Sequence, residues 1–235
     1  MHFEQITTKS RVNSIDDIDQ LAVPERALSG MTFRELISKM GLPYLRFSIT
    51  ADCNAACSFC HNEGQKKGKR GEKAEVQESF LKESQFEYIA DFFRPQFSKI
   101  KFTGGEPTLV SNLDSIIKSF SRRGYECSMT TNGFLFDRNK QLSYKAAGLS
   151  GVNFSIPSLS PKEYRRSFGV RDKFDQAIYN LESASSVYEK VKINFVSSDE
   201  RKFSDAMKLT ELSSRTGTVV SFLSLLSERN TENPL

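Results

Sequence analysis

Residues 45–60 read LRFSITADCNAACSFC, a β-rich run followed by three cysteines. The cysteines are Cys53, Cys57 and Cys60, with three and then two residues between them. Four cysteines in a chain of 235 residues are not a disulfide framework, and three thiols in one loop after a predicted strand indicate a metal or iron–sulfur site. We therefore expect this loop to carry the chemistry of the protein.

Three thiolate ligands fit a 4Fe-4S cluster whose fourth iron has no protein ligand. An open coordination position of that kind lets a cluster act on a bound molecule as well as carry electrons. Structural zinc is the first alternative, but it needs four ligands. His61 directly follows Cys60, where joint chelation is poor, and Cys127 lies on another predicted strand. A chance group of buried thiols is the second alternative, and for Cys127 itself we predict a core thiol.

Short β-rich runs alternate with amphipathic runs from residue 45 onward, which is the pattern of βα units on a parallel sheet. Six strands are predicted, at residues 45–50, 100–103, 126–131, 152–156, 191–196 and 218–226. Apolar side chains at helical spacing between the strands predict outer helices: Phe86, Ile89 and Phe93; Leu113, Ile116, Ile117 and Phe120; Phe174, Ala177, Ile178 and Leu181. The predicted fold class is α/β, a partial (β/α)6 barrel with parallel strands, in which the chemistry lies at the carboxyl ends of the strands.

Composition separates three regions and excludes several classes. We expect residues 1–43 to be an extension with one short helix at 32–40, residues 44–226 to form the barrel, and residues 227–235 to be a polar tail. A formal charge of +4 is too weak and scattered for a nucleic-acid protein, but it is compatible with an anionic small substrate. The longest near-apolar run, 218–226, is far shorter than the roughly 20 residues of a membrane helix, so we expect a cytoplasmic, reduced protein with no membrane partner.

Polar and glycine-rich motifs follow the next strands at the same predicted edge. Residues 103–108 read TGGEPT, where paired glycines permit close backbone approach and Glu106 offers a carboxylate to an ammonium group. Residues 130–133 read TTNG, and Ser155 lies at the end of the fourth strand. Each motif alone is compatible with an ordinary loop, and the prediction of a site depends on their shared position.

Together these residues resemble the radical S-adenosylmethionine (SAM) superfamily, over about residues 44–226. The resemblance rests on the cysteine triad, on Gly104-Gly105-Glu106-Pro107 and on Thr131-Asn132-Gly133. Within the superfamily the sequence looks most like the GTP 3′,8-cyclases of molybdenum-cofactor biosynthesis, through residues 45–54, 152–155 and 191–194.

The resemblance implies one 4Fe-4S cluster on Cys53, Cys57 and Cys60, whose open iron chelates SAM, and an enzyme that forms a 5′-deoxyadenosyl radical to take hydrogen from a substrate. It implies six positions beside SAM: Phe59 near the adenine, Gly104, Gly105 and Glu106 near the methionine amino group, Ser155, and Leu226 where the cyclases have Met. Four further positions match cyclase residues that touch the nucleotide: Arg46, Lys101, Thr131 and Lys192. The cations among them suit a phosphate-bearing substrate.

The sequence also departs from the cyclase pattern. The cyclases carry a second cluster on three more cysteines, whereas Cys127 alone remains here; Ser221 replaces an Arg, and Pro157 replaces an Asp. We therefore expect cyclase-like tailoring of a different small polar molecule or peptide, with a reductant such as flavodoxin or ferredoxin. GTP cyclisation itself is an alternative.

Other functions stay open from the sequence. Cys60-His61-Asn62 is similar to glycyl-radical-enzyme activases, and short 7-carboxy-7-deazaguanine synthases have comparable barrels. A non-catalytic metal-binding interaction module is the non-enzymatic alternative. The basic run 66–73 is typical of a solvated loop, with a lid or a docking patch for the electron donor as the functional alternative.

Overall fold

The computed structural model describes residues 44–58, 60, 71, 74–197 and 203–224. Strands and helices alternate along these ranges. In chain order they are β1 (Leu45–Ser48), α1 (Glu83–Phe93), β2 (Lys99–Thr103), a 3-10 turn (Pro107–Leu109), α2 (Leu113–Ser121), β3 (Glu126–Thr131), α3 (Arg138–Ala147), β4 (Leu149–Ser155), α4 (Pro161–Phe168), α5 (Phe174–Ser185), β5 (Lys190–Ser197), α6 (Phe203–Thr216) and β6 (Val219–Ser224).

The strands form one parallel sheet in the order β1-β2-β3-β4-β5-β6. Each strand pairs with the next one along the chain, so β1 and β6 are the two edges and the barrel is left open between them in the described ranges. The predicted partial barrel of six parallel strands is confirmed. The observed strand ends differ from the predicted ones mainly at β4, which begins three residues earlier, at Leu149.

Alternating side chains give the sheet two different faces. Apolar residues point toward the helices and are fully buried, as at Phe102, Met129, Val152 and Ile193. The intervening residues face the concave side and are mostly polar and only partly buried: Lys101, Ser128, Thr130, Asn153, Ser155, Lys192 and Asn194. Because side chains alternate between faces in a strand, the apolar core lies outside the sheet and a polar concavity lies inside it.

The predicted helical stripes pack against the outer face. In α2 the side chains of Leu113, Ile116, Ile117 and Phe120 are all at most 1% exposed. Seven phenylalanines are nearly inaccessible to solvent and form aromatic contacts within this layer: Phe86, Phe102, Phe120, Phe136, Phe154, Phe168 and Phe195. The abundant phenylalanines therefore build the core.

Helices α3, α4 and α6 are elements that the apolar periodicity did not reveal. Helix α3 begins at the N-cap Asp137, whose carboxylate accepts the Lys140 N–H at 2.9 Å, and it ends at the left-handed Gly148. Helix α4 begins with Pro161 after Ser160 and ends at the left-handed Gly169. Capping residues are the sequence signals for α3 and α4.

Cys127 is a core thiol, as predicted. It is 0% exposed, and its Sγ lies 3.9 Å from the Ile117 carbonyl oxygen and 3.6 Å from that of Tyr125. Burial raises the pKa of the Cys127 thiol to about 12, so it stays protonated near neutral pH. None of the helices in the described ranges combines the length and apolar character that a bilayer crossing requires.

We predict that Asn180→Ala lowers the free energy of unfolding by about 1–3 kcal/mol. Asn180 is 0% exposed, and its Nδ2 donates to the Gly133 carbonyl at 2.7 Å, so truncation leaves a buried acceptor without its donor. Urea unfolding followed by circular dichroism measures the change. The control Tyr179→Phe changes an exposed side chain of the same helix and should stay within about 0.5 kcal/mol of the wild type. Equal effects of the two changes would contradict this role of Asn180.

Candidate active site

The loops at the carboxyl ends of β1 and β2 are joined through their backbones. Gly105 N–H donates to the Thr50 carbonyl at 2.7 Å, and Glu106 N–H donates to the Asp52 carbonyl at 2.8 Å. A Cβ on Gly105 would lie 2.0 Å from the Asp52 oxygen, so no side chain fits there. Gly104 has a φ of +141°, which side-chain-bearing residues rarely adopt. The paired glycines therefore allow the second loop to lie directly against the residues that precede Cys53.

Helix α4 holds the cysteine loop from its other side. Ala56 N–H donates to the Phe168 carbonyl at 2.8 Å, and Ser58 N–H donates to the Ser167 carbonyl at 3.0 Å. These two bonds flank Cys57 and also satisfy carbonyl groups at the end of the helix. The backbone around Cys57 is thus fixed by the fold itself.

The three predicted ligands share this loop but differ in exposure. Cys53 and Cys57 are partly buried and Cys60 is exposed, and none of the four cysteines forms a disulfide. No group of three His, Cys, Asp or Glu side chains in the described residues is arranged as a metal site, so the cluster ligands stay a prediction. His61 and most of the basic run 66–73 lie outside the described residues.

The donor chemistry of the loop fits an iron–sulfur cluster. Three thiols lie within eight residues at the open end of the sheet, which is a soft donor set suited to iron–sulfur clusters. Behind the loop, the hydroxyl of Tyr164 is buried and has no hydrogen-bond partner among the described residues. Burial raises the pKa of Tyr164 well above its ordinary value, and charge on Cys57 and Glu106 adds to the increase.

Glu106 is a buried carboxylate that links the loops after β2 and β3. It is 1% exposed. Its Oε1 accepts from Thr108 N at 3.1 Å, Thr108 Oγ1 at 2.7 Å and Thr131 Oγ1 at 2.7 Å, and its Oε2 accepts from Asn132 N at 2.8 Å. Burial raises the pKa of Glu106, and these four donors oppose the increase. Both oxygens therefore bind the chain itself, while the predicted contact with an ammonium group stays a prediction.

The loop after β3 also contacts the cysteine loop directly. Asn132 Nδ2 donates to Asn54 Oδ1 at 2.7 Å, a contact between residues 78 positions apart. Asp52 next to Cys53 accepts from Gln77 Nε2 at 2.6 Å. Sequence reasoning noted the motif around Asn132 but missed these positioning roles, because a partner so distant along the chain leaves no local pattern.

The remaining predicted SAM positions are only partly covered by the structure. Ser155 ends β4 on the concave face and pairs in register with Asn194 of β5. Phe59 and Leu226 lie outside the described residues. Their contacts with SAM stay predictions.

Three of the four predicted substrate residues lie together on the concave face. Arg46 is the register partner of Lys101, and the pKa of Lys101 is lowered by burial and by the positive charges of Lys192 and Arg46. Lys101 Nζ also lies 4.6 Å from the centroid of the Tyr44 ring. Thr131 is the exception, because it is 2% exposed, points away from the concavity and donates to Glu106.

Cations at the amino ends of the strands have a different environment. Glu126 lies 3.4 Å from Lys99 and 2.5 Å from Lys190, and these bonds lower the pKa of Glu126 and raise that of Lys190. Lys99 and Lys101 are two residues apart on the same face of β2. Lys99 therefore has an acidic partner, while the pKa of Lys101 is lowered by burial and by neighbouring cations.

A parallel open α/β barrel with three thiols in the first βα loop defines a class of iron–sulfur enzymes, and comparison with known families gives the same result. The family model described as Radical SAM superfamily matches residues 47–210. The chain belongs to the radical SAM superfamily. Its members are enzymes, and the family implies SAM and a 4Fe-4S cluster as cofactors.

Several curated relatives are similar to part of the chain. A probable GTP 3′,8-cyclase of Pyrococcus abyssi is 38% identical over 164 residues, which cover 68% of this chain and 50% of that protein. A probable GTP 3′,8-cyclase of Saccharolobus solfataricus is 36% identical over 189 residues, which cover 77% of this chain and 57% of that protein. The chain thus spans about half the length of these relatives.

Solved structures support the fold. Streptococcus suis SuiB bound to S-adenosylmethionine superposes with a TM-score of 0.66 at 18% identity, covering 81% of this chain and 42% of that chain. At this identity the similarity establishes the barrel and not the substrate.

We predict that Gly105→Ala destabilises the protein by about 3 kcal/mol, the upper end for overpacking, because the new methyl group meets backbone. Gly151→Ala is the matched control. It places a methyl group on the sheet with nothing nearer than 3.4 Å, and its stability should change by less than about 1 kcal/mol. Urea unfolding of both variants makes the comparison, and equal stabilities would contradict the close approach at Gly105.

Proposed function

We propose that this protein cleaves SAM reductively at a 4Fe-4S cluster and directs the resulting radical to a small anionic substrate bound in the concavity. When bound, the cluster supplies one electron that splits the SAM sulfonium into methionine and a 5′-deoxyadenosyl radical, which takes a hydrogen atom from the substrate. The observation that carries the proposal is the cysteine loop, which is fixed on both sides at the end of a concave face that holds Arg46, Lys101 and Lys192.

The chain's own residues have separable roles in this proposal. Cys53, Cys57 and Cys60 would provide three thiolates, and their loop is held by Gly105 and by the end of α4. Gly104, Gly105 and Ser155 would contact SAM. Glu106 would act chiefly by holding the loop after β3 in place, because its oxygens accept four bonds from the chain.

The three cations support an anionic substrate. Positive charges placed close together in a partly buried concavity repel one another, and a bound anion such as a polyphosphate removes that repulsion. Arginine and lysine also suit phosphate oxygens by geometry and charge. The concave face with Arg46, Lys101 and Lys192 would therefore recognise the negative charge of a substrate more strongly than its base or its side chain.

GTP cyclisation is the second candidate, and the names of the relatives favour it. Two sequence departures oppose it, because Ser221 stands where the cyclases resembled here carry an Arg, and Pro157 stands where they carry an Asp. Membership of the superfamily favours an enzyme over a structural metal-binding module. The choice between GTP and another anion is made by substrate assays.

We predict that Cys57→Ala abolishes cluster loading and 5′-deoxyadenosine formation. Wild-type protein reconstituted anaerobically with iron and sulfide, then given dithionite and SAM, should form 5′-deoxyadenosine. The matched control is Cys127→Ala, which removes the core thiol and should keep the cluster, as absorbance and electron paramagnetic resonance spectra report. Equal loading of the two variants would contradict the assignment of the loop.

We predict that Lys101→Gln raises the melting temperature of the ligand-free protein at low salt and weakens binding of tripolyphosphate and GTP. The gain arises because the charge of Lys101 is partly buried and lies close to the cations Lys192 and Arg46. Because the pKa of Lys101 is lowered in the folded state, the unfolded chain binds more protons between that pKa and 10.5. The stability of the wild type therefore increases as the pH rises from the folded-state pKa of Lys101 to 10.5. Over this range the difference in melting temperature between the wild type and Lys101→Gln becomes smaller.

Lys99→Gln is the control for this prediction, because it removes a lysine from the same strand face that is paired with Glu126. It should not raise the melting temperature, and it should leave anion binding unchanged. Thermal shift with and without tripolyphosphate measures both properties. A lysine-to-glutamine change at 101 that lowers the melting temperature and spares anion binding would contradict the proposed substrate face.

A further inference from the structure

The ring of Tyr164 belongs to an aromatic layer at the cysteine-bearing end of the barrel. Its centroid lies 4.7 Å from that of Phe168, 5.3 Å from that of Phe174 and 6.3 Å from that of Phe134. The side chain is 1% exposed. These contacts hold the ring in one place, so its hydroxyl has little freedom to seek a partner.

The hydroxyl of Tyr164 is the one buried side-chain polar atom in the described residues that has no hydrogen-bond partner. Two other buried tyrosines have partners in the chain, since Tyr188 Oη donates to the Gln141 carbonyl at 2.7 Å and Tyr125 Oη donates to the Ala90 carbonyl at 2.8 Å. Buried hydroxyl groups are normally paired, and a buried unpaired one lowers stability. The exception therefore indicates a partner that does not come from the described chain.

The position of Tyr164 indicates what that partner is. Tyr164 is one helical turn before Phe168, whose carbonyl accepts the Ala56 N–H, and Ser167 binds Ser58 in the same way. Cys57 lies between those two bonds and packs against the hydrophobic core. Burial raises the pKa of Tyr164, and charge on Cys57 is a second, smaller cause of the increase. Helix α4, which carries Tyr164, thus lies directly against the backbone around the middle cysteine of the triad.

We propose that the Tyr164 hydroxyl donates a hydrogen bond to a bridging sulfide of the iron–sulfur cluster and raises the reduction potential of the cluster. This inference rests on the proposed function, because it requires a cluster on the cysteine loop. Hydrogen bonds to cluster sulfurs stabilise the reduced, more negative state. One electron enters from the external donor and the phenol keeps its proton, so Tyr164 is a positioning residue that takes part in no transfer step.

The test compares Tyr164→Phe with the wild type in both the metal-free and the reconstituted protein. Phenylalanine keeps the ring and its packing and removes only the hydroxyl. We expect an equal or higher melting temperature for the metal-free variant, because an unpaired buried hydroxyl is removed. In the reconstituted variant we expect a roughly tenfold smaller equilibrium constant for one-electron reduction, which is a midpoint shift of about 59 mV to more negative potential.

Tyr188→Phe is the matched control, because it removes a buried hydroxyl that has a partner in the chain. It should lower the melting temperature of the metal-free protein and leave the midpoint potential unchanged. Pulsed electron paramagnetic resonance in D2O gives an independent readout. A deuteron coupled to the reduced cluster should be present in the wild type and in Tyr188→Phe, and lost in Tyr164→Phe.

The outcomes separate this inference from the proposed function. A wild type that loads no cluster would overturn both. A loaded cluster whose midpoint and deuteron coupling are the same in Tyr164→Phe would overturn the inference alone. A fall in the melting temperature of metal-free Tyr164→Phe to match that of Tyr188→Phe would also overturn it, because the hydroxyl would then be satisfied by water.

Discussion

The carboxylate of Glu106 is the interaction on which the arrangement of the site depends. Removing a carboxylate from water costs several kcal/mol, and each hydrogen bond to a charged group returns about 1.5–3 kcal/mol. Glu106 accepts four such bonds, from Thr108, Thr131 and Asn132. The burial is therefore tolerated only while the loops after β2 and β3 stay together. Asn132 also donates a hydrogen bond to Asn54 in the cysteine loop. Glu106 therefore holds the cysteine loop in place indirectly, through Asn132.

The sheet was predictable from sequence because short β-rich runs alternate with amphipathic helical runs. This alternation is the pattern of βα units on a parallel sheet, and the structure has the six strands in chain order. Helix α3 reads RNKQLSYKAA and has few apolar residues, so its existence depends on Asp137 and Gly148 as caps. Periodicity predicted the elements with strong apolar faces and missed those defined by their ends.

The sequence predicted which residues form the candidate site, but it did not predict the hydrogen bonds that they make with one another. The cysteine spacing and the glycine pair marked loops that the structure joins, and the contact of Glu106 with a ligand stays a prediction, but its bonds to three chain residues were not foreseen. Tyr164 carried no sequence signal, because a tyrosine at a buried helical position is ordinary. Only the surroundings of its hydroxyl distinguish it. These surroundings include the loop around Cys57, which is more than one hundred residues away along the chain and leaves no local pattern near Tyr164.

The concave face of the sheet carries two groups of cations that differ in their surroundings. One group stabilises the fold, and the other is suited to binding a ligand. Lys99 and Lys190 share Glu126, so their charges are compensated within the protein. Lys101 lies next to Arg46 in register and is affected by Lys192, so its charge raises the energy of the ligand-free state. The repulsion at Lys101 does not stabilise the fold, whereas Lys99, two residues earlier on the same face, is paired with Glu126. Arg46, Lys101 and Lys192 are at the same concave surface onto which the cysteine loop opens, so an anion that binds them would be held where the radical would be delivered.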